Sequence, residues 1–337
     1  SQRPRLVGLK NHLKQEVIRI EDNESVTQTP SEKHYIFITA RYRTGSTYLY
    51  SLFSSLNLVD AYLEPLHPLL LEIALEDEAI HKEIKIHQAH TITGNYFQEF
   101  KELNWDRLCQ LHSKEFSTEK LFLGIQDDFY ELKNYISFLT SNHSSNLGDT
   151  IKVFQFNRID YRLSWLRYNF PQALIINLRR NPRDVYTSYL KHANKELLLD
   201  KSIEIIGAPT SNADIDLGNS FYTDEYIFAL GKILSPQICV QELHPYEKIY
   251  LLSRLSNIWA DHFSHISIDY ENLVHDPEGA LRNIMPHIKG YSNFDLKSSL
   301  IPPNRSSVDS WKDIESSSWF QKYESNCEFL VDKILSE

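Results

Sequence analysis

The chain has 337 residues, 42% of them hydrophobic and 24% charged. That composition excludes a disordered, collagen-like or disulfide-scaffold protein, and a chain this long buries roughly 75% of its unfolded surface. Lys+Arg 35 against Asp+Glu 45 leaves a net charge of −10, which argues against a general nucleic-acid binder but allows an anionic small ligand where cations gather locally.

Cys109, Cys239 and Cys327 are widely spaced. Neither a disulfide framework nor a Cys-rich zinc site is expected, and a reducing compartment is the default. The longest uncharged stretch, Thr44 to Val59, is rich in Ser, Thr and Tyr and does not read as a membrane span. The first thirty residues lack a signal-peptide core, although a chain cut after an anchor would look the same. Asn-x-Ser triplets begin at Asn23, Asn142 and Asn304, and such triplets arise by chance too often to imply secretion.

In chain order, residues 1–33 read as a polar lead-in and 34–337 as the folded domain. His34–Ala40 is a short apolar, β-rich run. Comparable runs follow at Lys120–Ile125, Ile151–Phe156, Ala173–Leu178 and Ile266–Tyr270. Near-continuous apolarity predicts strands covered on both faces, as in a parallel sheet. Ile249, Leu252, Leu255, Trp259 and Phe263 share one helical face; Phe320, Tyr323, Cys327, Leu330 and Ile334 share another. The alternation predicts a single α/β domain with a mainly parallel central sheet flanked by helices and right-handed crossovers. The stretches 66–118 and 194–245 are long for crossovers and read as helical insertions that shape a substrate site.

The first strand runs into Arg41-Tyr42-Arg43-Thr44-Gly45-Ser46-Thr47-Tyr48 and then an apolar helix pattern through Leu52, Phe53 and Leu56. A strand, a tight Gly turn and a helix start bring several backbone N–H groups to one point, where the helix dipole favours an anion. Ser46 and Thr47 can add hydroxyl donors, and Arg43 a fixed charge. No GxxxxGK[ST] pattern is present, and an ordinary Gly turn with a Ser/Thr cap would look similar.

The second segment, Arg179-Arg180-Asn181-Pro182-Arg183-Asp184-Val185-Tyr186-Thr187-Ser188, follows another strand. Asn181 suits an N-cap, Pro182 the first helical position, and Asp184 the positive end of the dipole. Residues 158–183 carry six Arg and one acid, a local positive field within an acidic chain. Arg180 and Ser188 lie about two helical turns apart, so both can reach one phosphate. The plainer alternative is arginines on a solvated helix.

Together the two segments resemble the sulfotransferases that use 3′-phosphoadenosine 5′-phosphosulfate (PAPS). Arg43–Tyr48 is similar to that family's 5′-phosphosulfate loop, and Arg180–Ser188 to its 3′-phosphate motif. Asp269-Tyr-Glu-Asn-Leu-Val274 with Asp276-Pro277 resembles a later strand and helix, and Arg305 with Trp311-Lys312 the loop that closes on the nucleotide. The resemblance spans about residues 34 to 335 but is concentrated in the first two blocks. Two departures stand out. Ser306–Ser310 lacks the usual glycines, and Gln155-Phe156-Asn157-Arg158 stands where the small-molecule branch of the family carries a catalytic His. Leu63-Glu64-Pro65-Leu66-His67 resembles the Glu-Pro segment of carbohydrate-type members.

What the resemblance implies is a P-loop-like sulfotransferase fold and in-line transfer of a sulfuryl group from PAPS, without metal, to a hydroxyl of a carbohydrate or glycoconjugate. 3′,5′-Adenosine bisphosphate (PAP) is the implied product. Thr44, Gly45, Ser46 and Thr47 would hold the 5′ side, and Arg43 the charge on the departing oxygen. Tyr48 would stack near the adenine, Arg180 and Ser188 would read the 3′-phosphate, and Arg305 and Lys312 would close over it. Glu64 is the implied base, a carboxylate whose screening from water suits it to proton abstraction. His67 is the rival base, and His67, Asn157 and Arg158 are candidate acceptor contacts. His81, His87 and His90 have no metal-ligand spacing on one helical face, and Cys327 reads as core.

The alternatives are a kinase with a degenerate phosphate loop, disfavoured by the missing Lys after Gly45, and a non-catalytic nucleotide-binding protein. Expected partners are a small-molecule or glycan acceptor, with neither nucleic acid nor an integral membrane segment. The expected location is a bacterial-type cytoplasm, with a Golgi luminal domain freed of its anchor as the other possibility. The oligomeric state is not legible.

Overall fold

The computed structural model describes residues 9–26, 33–56, 58–75, 97–141, 150–199, 243–288, 302–303 and 305–336. The chain divides into two compact units, one of residues 16–179 and 259–303, the other of residues 1–15, 180–258 and 304–337.

The first unit holds a five-stranded parallel sheet in the order β2-β3-β1-β4-β5. Its strands are β1 (Tyr35–Ala40), β2 (Val59–Leu63), β3 (Ile151–Phe156), β4 (Ala173–Arg179) and β5 (Ile266–Asp269). The predicted α/β class with a parallel sheet is borne out. Ile36, Phe37, Ile38, Val153, Phe154, Ile175 and Ile176 are all buried, which is why these runs lack polar alternation. Phe37 meets Phe154, Phe156 and Phe170 edge-on at 5.5–5.8 Å. Helix α2 (Ser46–Ser54) buries Leu49, Leu52 and Phe53.

Two expectations are corrected. Lys120–Ile125 is not a strand. Leu121, Leu123 and Ile125 are buried in alternation, but side chains take the backbone groups that a ladder would use. The Gly124 N–H donates to Asp127 Oδ2 at 2.7 Å, the Ile125 N–H to Glu16 Oε1 at 2.9 Å, and the Leu123 carbonyl accepts from Ser164 Oγ at 3.2 Å. A backbone satisfied in this way has no need of a partner strand. The fifth strand is instead β2, in a stretch that the apolar runs pass over because Asp60 interrupts it. Within the lead-in, Leu9–Val26 forms helix α1, and it contributes the buried Glu16.

The second unit contains the helix that begins at Pro182 and runs to Leu199, residues 245–258 of the helix Pro245–Phe263, and the C-terminal helix Ser317–Ser336. Val185, Tyr186, Leu190, Tyr246, Ile249 and Phe320 form its core, with Trp319 and Tyr323 packed against them. Both predicted stripes are found. Ile249, Leu252, Leu255, Trp259 and Phe263 are buried, as are Phe320, Cys327 and Ile334, while Tyr323 and Leu330 are half-buried.

Candidate active site

Chain direction fixes the first element of the site. β1 ends at Ala40, and the chain turns through Arg41–Gly45 into α2. The Arg41 carbonyl accepts from the Thr44 hydroxyl at 2.6 Å and the Thr44 N–H at 3.3 Å. Arg43 (φ 65°) and Gly45 (φ 91°) both adopt the left-handed conformation. For Gly45 two constraints coincide, because a Cβ there would lie 2.1 Å from the Tyr270 ring. Gly45 caps α2, and its carbonyl accepts from the Tyr48 and Leu49 N–H groups. The first amides of a helix have no partner inside it, so this end attracts an anion. Burial, then the neighbouring Tyr270, pushes the Tyr48 phenol up to about 12.

β2 ends at Leu63, and the next residue is Glu64, also left-handed (φ 44°). Its N–H donates to the Gln155 carbonyl at 2.8 Å, and its own carbonyl accepts from the His67 N–H at 2.9 Å. The carboxylate is buried and takes two donors: Asn157 Nδ2 to Oε1 at 2.6 Å and Arg158 Nη1 to Oε2 at 3.3 Å. Asn157 Oδ1 accepts from Gln155 Nε2 at 2.7 Å and from Ser46 Oγ at 3.3 Å. The turn at Gly45, the end of β3 and the acid after β2 thus meet through one amide side chain. Burial raises the proton affinity of Glu64 and outweighs the opposing pull of Arg158 and Asn157.

His67 is buried, and its Nδ1 accepts the Leu69 N–H at 3.1 Å. Burial first, then the charges of Arg158 and His112, push it down to about 3, so the ring is neutral. Arg158, fully buried, lies 5.1 Å over the Tyr42 ring.

In the second unit, Asn181 Oδ1 accepts the Arg183 N–H at 3.0 Å, and the helix starts at Pro182 as expected. Arg180 is buried and donates to the Ser307 carbonyl at 2.5 Å. Ser188 is half-buried on the same helix. Asp184 does more than complement the dipole. It accepts from Asp309 N–H (2.9 Å), Ser310 Oγ (3.1 Å) and Trp311 N–H (3.1 Å), and so anchors the loop of Arg305 and Lys312. Arg305 is exposed; Lys312 pairs with Asp309 at 2.7 Å.

The predicted positive field is largely consumed by internal partners, which is a further correction. Arg158 pairs with Glu64, Arg179 with Asp269, and Arg183 with Glu324. Arg162 donates to the carbonyls of Lys120, Phe116 and Glu119. Counting residues along the chain does not reveal such partners.

Among the described residues, no group of three or more His, Cys, Asp or Glu could hold a metal, and no helix is long and apolar enough to cross a membrane. His81, His87, His90 and Cys239 lie outside the described residues, as do 76–96 and 200–242 of the two expected insertions. Cys327 is buried, as expected for core, with its Sγ 3.5 Å from the Glu247 carbonyl.

No protein-family model matches the chain, and no curated protein matches it. Solved structures similar to it are sulfotransferases. One comes from Alicyclobacillus acidocaldarius, with TM-score 0.39, 13% identity, and 88% of this chain and 95% of that one covered. Another is the sulfotransferase domain from the curacin biosynthetic pathway, with TM-score 0.40, 16% identity, and 87% and 97% covered. A third is sulfotransferase STF1 from Mycobacterium tuberculosis H37Rv, with TM-score 0.39, 13% identity, and 98% and 83% covered. Similarity this slight carries no weight for function, which has to be argued from the residues.

Proposed function

We propose that this protein transfers a sulfuryl group from PAPS to an acceptor hydroxyl, on a carbohydrate or glycoconjugate, with Glu64 as general base. The observation that carries the reading is the Ser46–Asn157–Glu64 connection, which joins the anion-binding turn to a buried carboxylate of raised proton affinity. PAPS supplies the activated sulfuryl group. The acceptor oxygen forms a bond to sulfur as the bridging S–O bond to the nucleotide breaks, the acceptor proton passes to Glu64, and PAP leaves.

The turn amides with Thr44, Gly45, Ser46 and Thr47 bind the 5′ side, and Arg43 stabilises charge on the departing oxygen. Arg180 and Ser188 recognise the 3′-phosphate, Tyr48 stacks near the adenine, and Arg305 and Lys312 close over the nucleotide. Asn157 and Arg158 orient Glu64. Neutral His67, its Nδ1 occupied, serves as an acceptor contact and not as the base. The free thiols Cys109, exposed, and Cys327, buried, fit a reducing, cytoplasmic setting.

The test is transfer of labelled sulfate from PAPS to a panel of glycans, glycolipids, phenols and amines. Glu64→Gln and Arg43→Ala are each expected to slow turnover by at least about a hundredfold. Arg180→Ala should abolish the preference for PAP over AMP. The wild-type rate should fall on the acid side with a midpoint above 4.5, the ordinary value for Glu64, because the base acts ionised. Near-wild-type rates in both Glu64→Gln and Arg43→Ala would overturn these roles. Phosphoryl transfer from ATP with Mg²⁺ would favour the kinase, and PAP binding without turnover on any acceptor a binding protein.

A further inference from the structure

We infer that Asn157 is a positioning residue that couples occupancy of the turn at Ser46 to the proton affinity of Glu64, so that the base strengthens when the nucleotide is seated; the inference rests on the sulfuryl-transfer reading above. An ionised carboxylate only accepts, so the Asn157 amide must turn its Nδ2 to Glu64 Oε1, 2.6 Å away. Its Oδ1 then faces the two donors, Gln155 Nε2 at 2.7 Å and Ser46 Oγ at 3.3 Å. Gln155 is fixed in turn, because only its amide nitrogen can serve Asn157. Its Oε1 is buried with no hydrogen-bond partner, so the oxygen offers no competing hold on the side chain.

The result is a one-way chain: Ser46 and Gln155 donate to Asn157, and Asn157 donates to Glu64. In such chains each donation into an amide oxygen strengthens the amide's own N–H as a donor, by about 10–30% per bond. Ser46 has one hydroxyl proton. If it turns that proton to a phosphate oxygen, Asn157 loses one of its two incoming donors. Its N–H then holds the Glu64 carboxylate less firmly, and Glu64 binds a proton more readily.

Gln155 keeps Asn157 oriented throughout, so the effect is a graded weakening and not a release. Among the described residues, Arg158 pairs with Glu64, and His67, itself near Arg158 and His112, donates its backbone N–H to the Glu64 carbonyl. Glu99 holds the N–H of the preceding residue, Leu63. None of these contacts passes through Ser46. A free enzyme with a weaker base is less prone to activate a stray hydroxyl before the donor arrives.

Through this chain alone, nucleotide binding is expected to raise the Glu64 proton affinity by about 0.1–0.7 of a pH unit, in addition to the rise caused by the nucleotide's own negative charge. Midway through the titration the chain's share corresponds to uptake of about 0.1–0.4 proton per nucleotide. The experiment is calorimetric titration of the full chain with PAP, in buffers of different ionisation enthalpy, from about pH 5 to pH 8, the range a buried carboxyl reaches. The nucleotide's phosphates also titrate, so Glu64→Gln supplies the baseline.

Wild type is expected to take up more protons than Glu64→Gln. Asn157→Ala and Ser46→Ala, which cut the chain at its middle and its far end, are each expected, at PAP concentrations that saturate each variant, to keep the uptake caused by the nucleotide's own charge but to fall short of the wild type by about 0.1–0.4 proton. Ser46→Ala places a good helix former at the start of α2, so it keeps the test usable if Asn157→Ala fails to fold. Wild-type uptake in either variant, or no excess over Glu64→Gln in the wild type, overturns the coupling. Failure of the wild type to bind PAP at all overturns the sulfotransferase reading itself, a separate and recognisable outcome.

Discussion

Replacing Gly45 by Ala tests the geometry of the turn directly, because two independent costs act at one atom. The left-handed backbone (φ 91°) costs an L-residue about 1–2 kcal/mol. The added methyl would sit 2.1 Å from Cε2 and 2.2 Å from Cδ2 of Tyr270. That ring is buried, one helical turn from the buried Leu273 and Val274, and relieving such an overlap costs about 1–3 kcal/mol. Gly45→Ala should therefore destabilise by about 2–5 kcal/mol.

A double-mutant cycle with Tyr270→Ala separates the two terms. Removing the ring removes the overlap but leaves the backbone cost, so in that background Gly45→Ala should cost only about 1–2 kcal/mol, a coupling of about 1–3 kcal/mol. Urea unfolding of the four proteins, followed by circular dichroism, gives the numbers. An equal cost of Gly45→Ala in both backgrounds would refute the steric argument. A cost below about 0.5 kcal/mol in the wild type, the scale of a neutral surface change, would refute the described turn.

Other expectations follow from buried charges. Burial pushes the Glu99 carboxyl up to about 7, against hydrogen bonds from the Leu63 N–H and the Tyr50 hydroxyl. Ionising it therefore costs stability as pH rises from 4.5 through 7, and Glu99→Gln should gain on wild type over that interval; parallel urea midpoints would contradict this. Burial pushes the Lys152 ammonium, which donates to the Leu139 and Thr140 carbonyls, down to about 8. The folded state sheds that proton before the unfolded state does at 10.5, so this group adds stability between those values. Lys152→Met should flatten the slope there, and an unchanged slope in alkaline denaturation curves would count against it. At Glu324, burial is outweighed by hydrogen bonds from Arg183 and Tyr246, and its proton affinity falls below the ordinary 4.5. Glu324→Gln should cost about 1–3 kcal/mol near neutrality, a deficit that shrinks as acid titrates the wild-type pair; a deficit independent of pH would exclude the ionic contribution.

Strands β1, β3 and β4 could be read from the chain because both faces of each are covered, which leaves an uninterrupted apolar run as the signal, whereas the edge strand β5 exposes Ser267 and shows only through Ile266 and Ile268. β2 carried no such signal. It is five residues long and lies at the edge of the sheet, and its Asp60 accepts the Thr150 hydroxyl at 2.8 Å. The turn at Arg43–Ser46 was legible because a lone Gly before Ser-Thr, directly after a strand, has few structural uses. The Glu64–Asn157–Ser46 connection was not. Its bonds join residues 93 and 111 positions apart, and which side chains meet over that distance is decided by strand order. Charge counting failed for a related reason. Most of the arginines between 158 and 183 find an acid or a carbonyl elsewhere in the chain, a pairing that composition does not record.

Backbone strain gives the site a second signature that no motif carries. Six described residues other than glycine have positive φ, and Arg43 and Glu64 are two of them. Each such conformation costs of order 1–3 kcal/mol and survives only where the surroundings over-determine it. At Glu64 they do so visibly, through the Gln155 carbonyl on one side and the His67 N–H on the other. At Arg43 the flanking turn is closed by both donors of Thr44 on the Arg41 carbonyl. Unfavourable φ values at two chain reversals, each at the carboxyl end of a parallel strand, aim the Arg and the Glu away from the directions that a relaxed backbone would give them. Ligands of open parallel sheets bind at that edge. Positioning of both residues therefore depends on the sheet, through Gln155 on β3 and Gly45 against Tyr270, and a change to either support should slow the proposed transfer without removing either side chain.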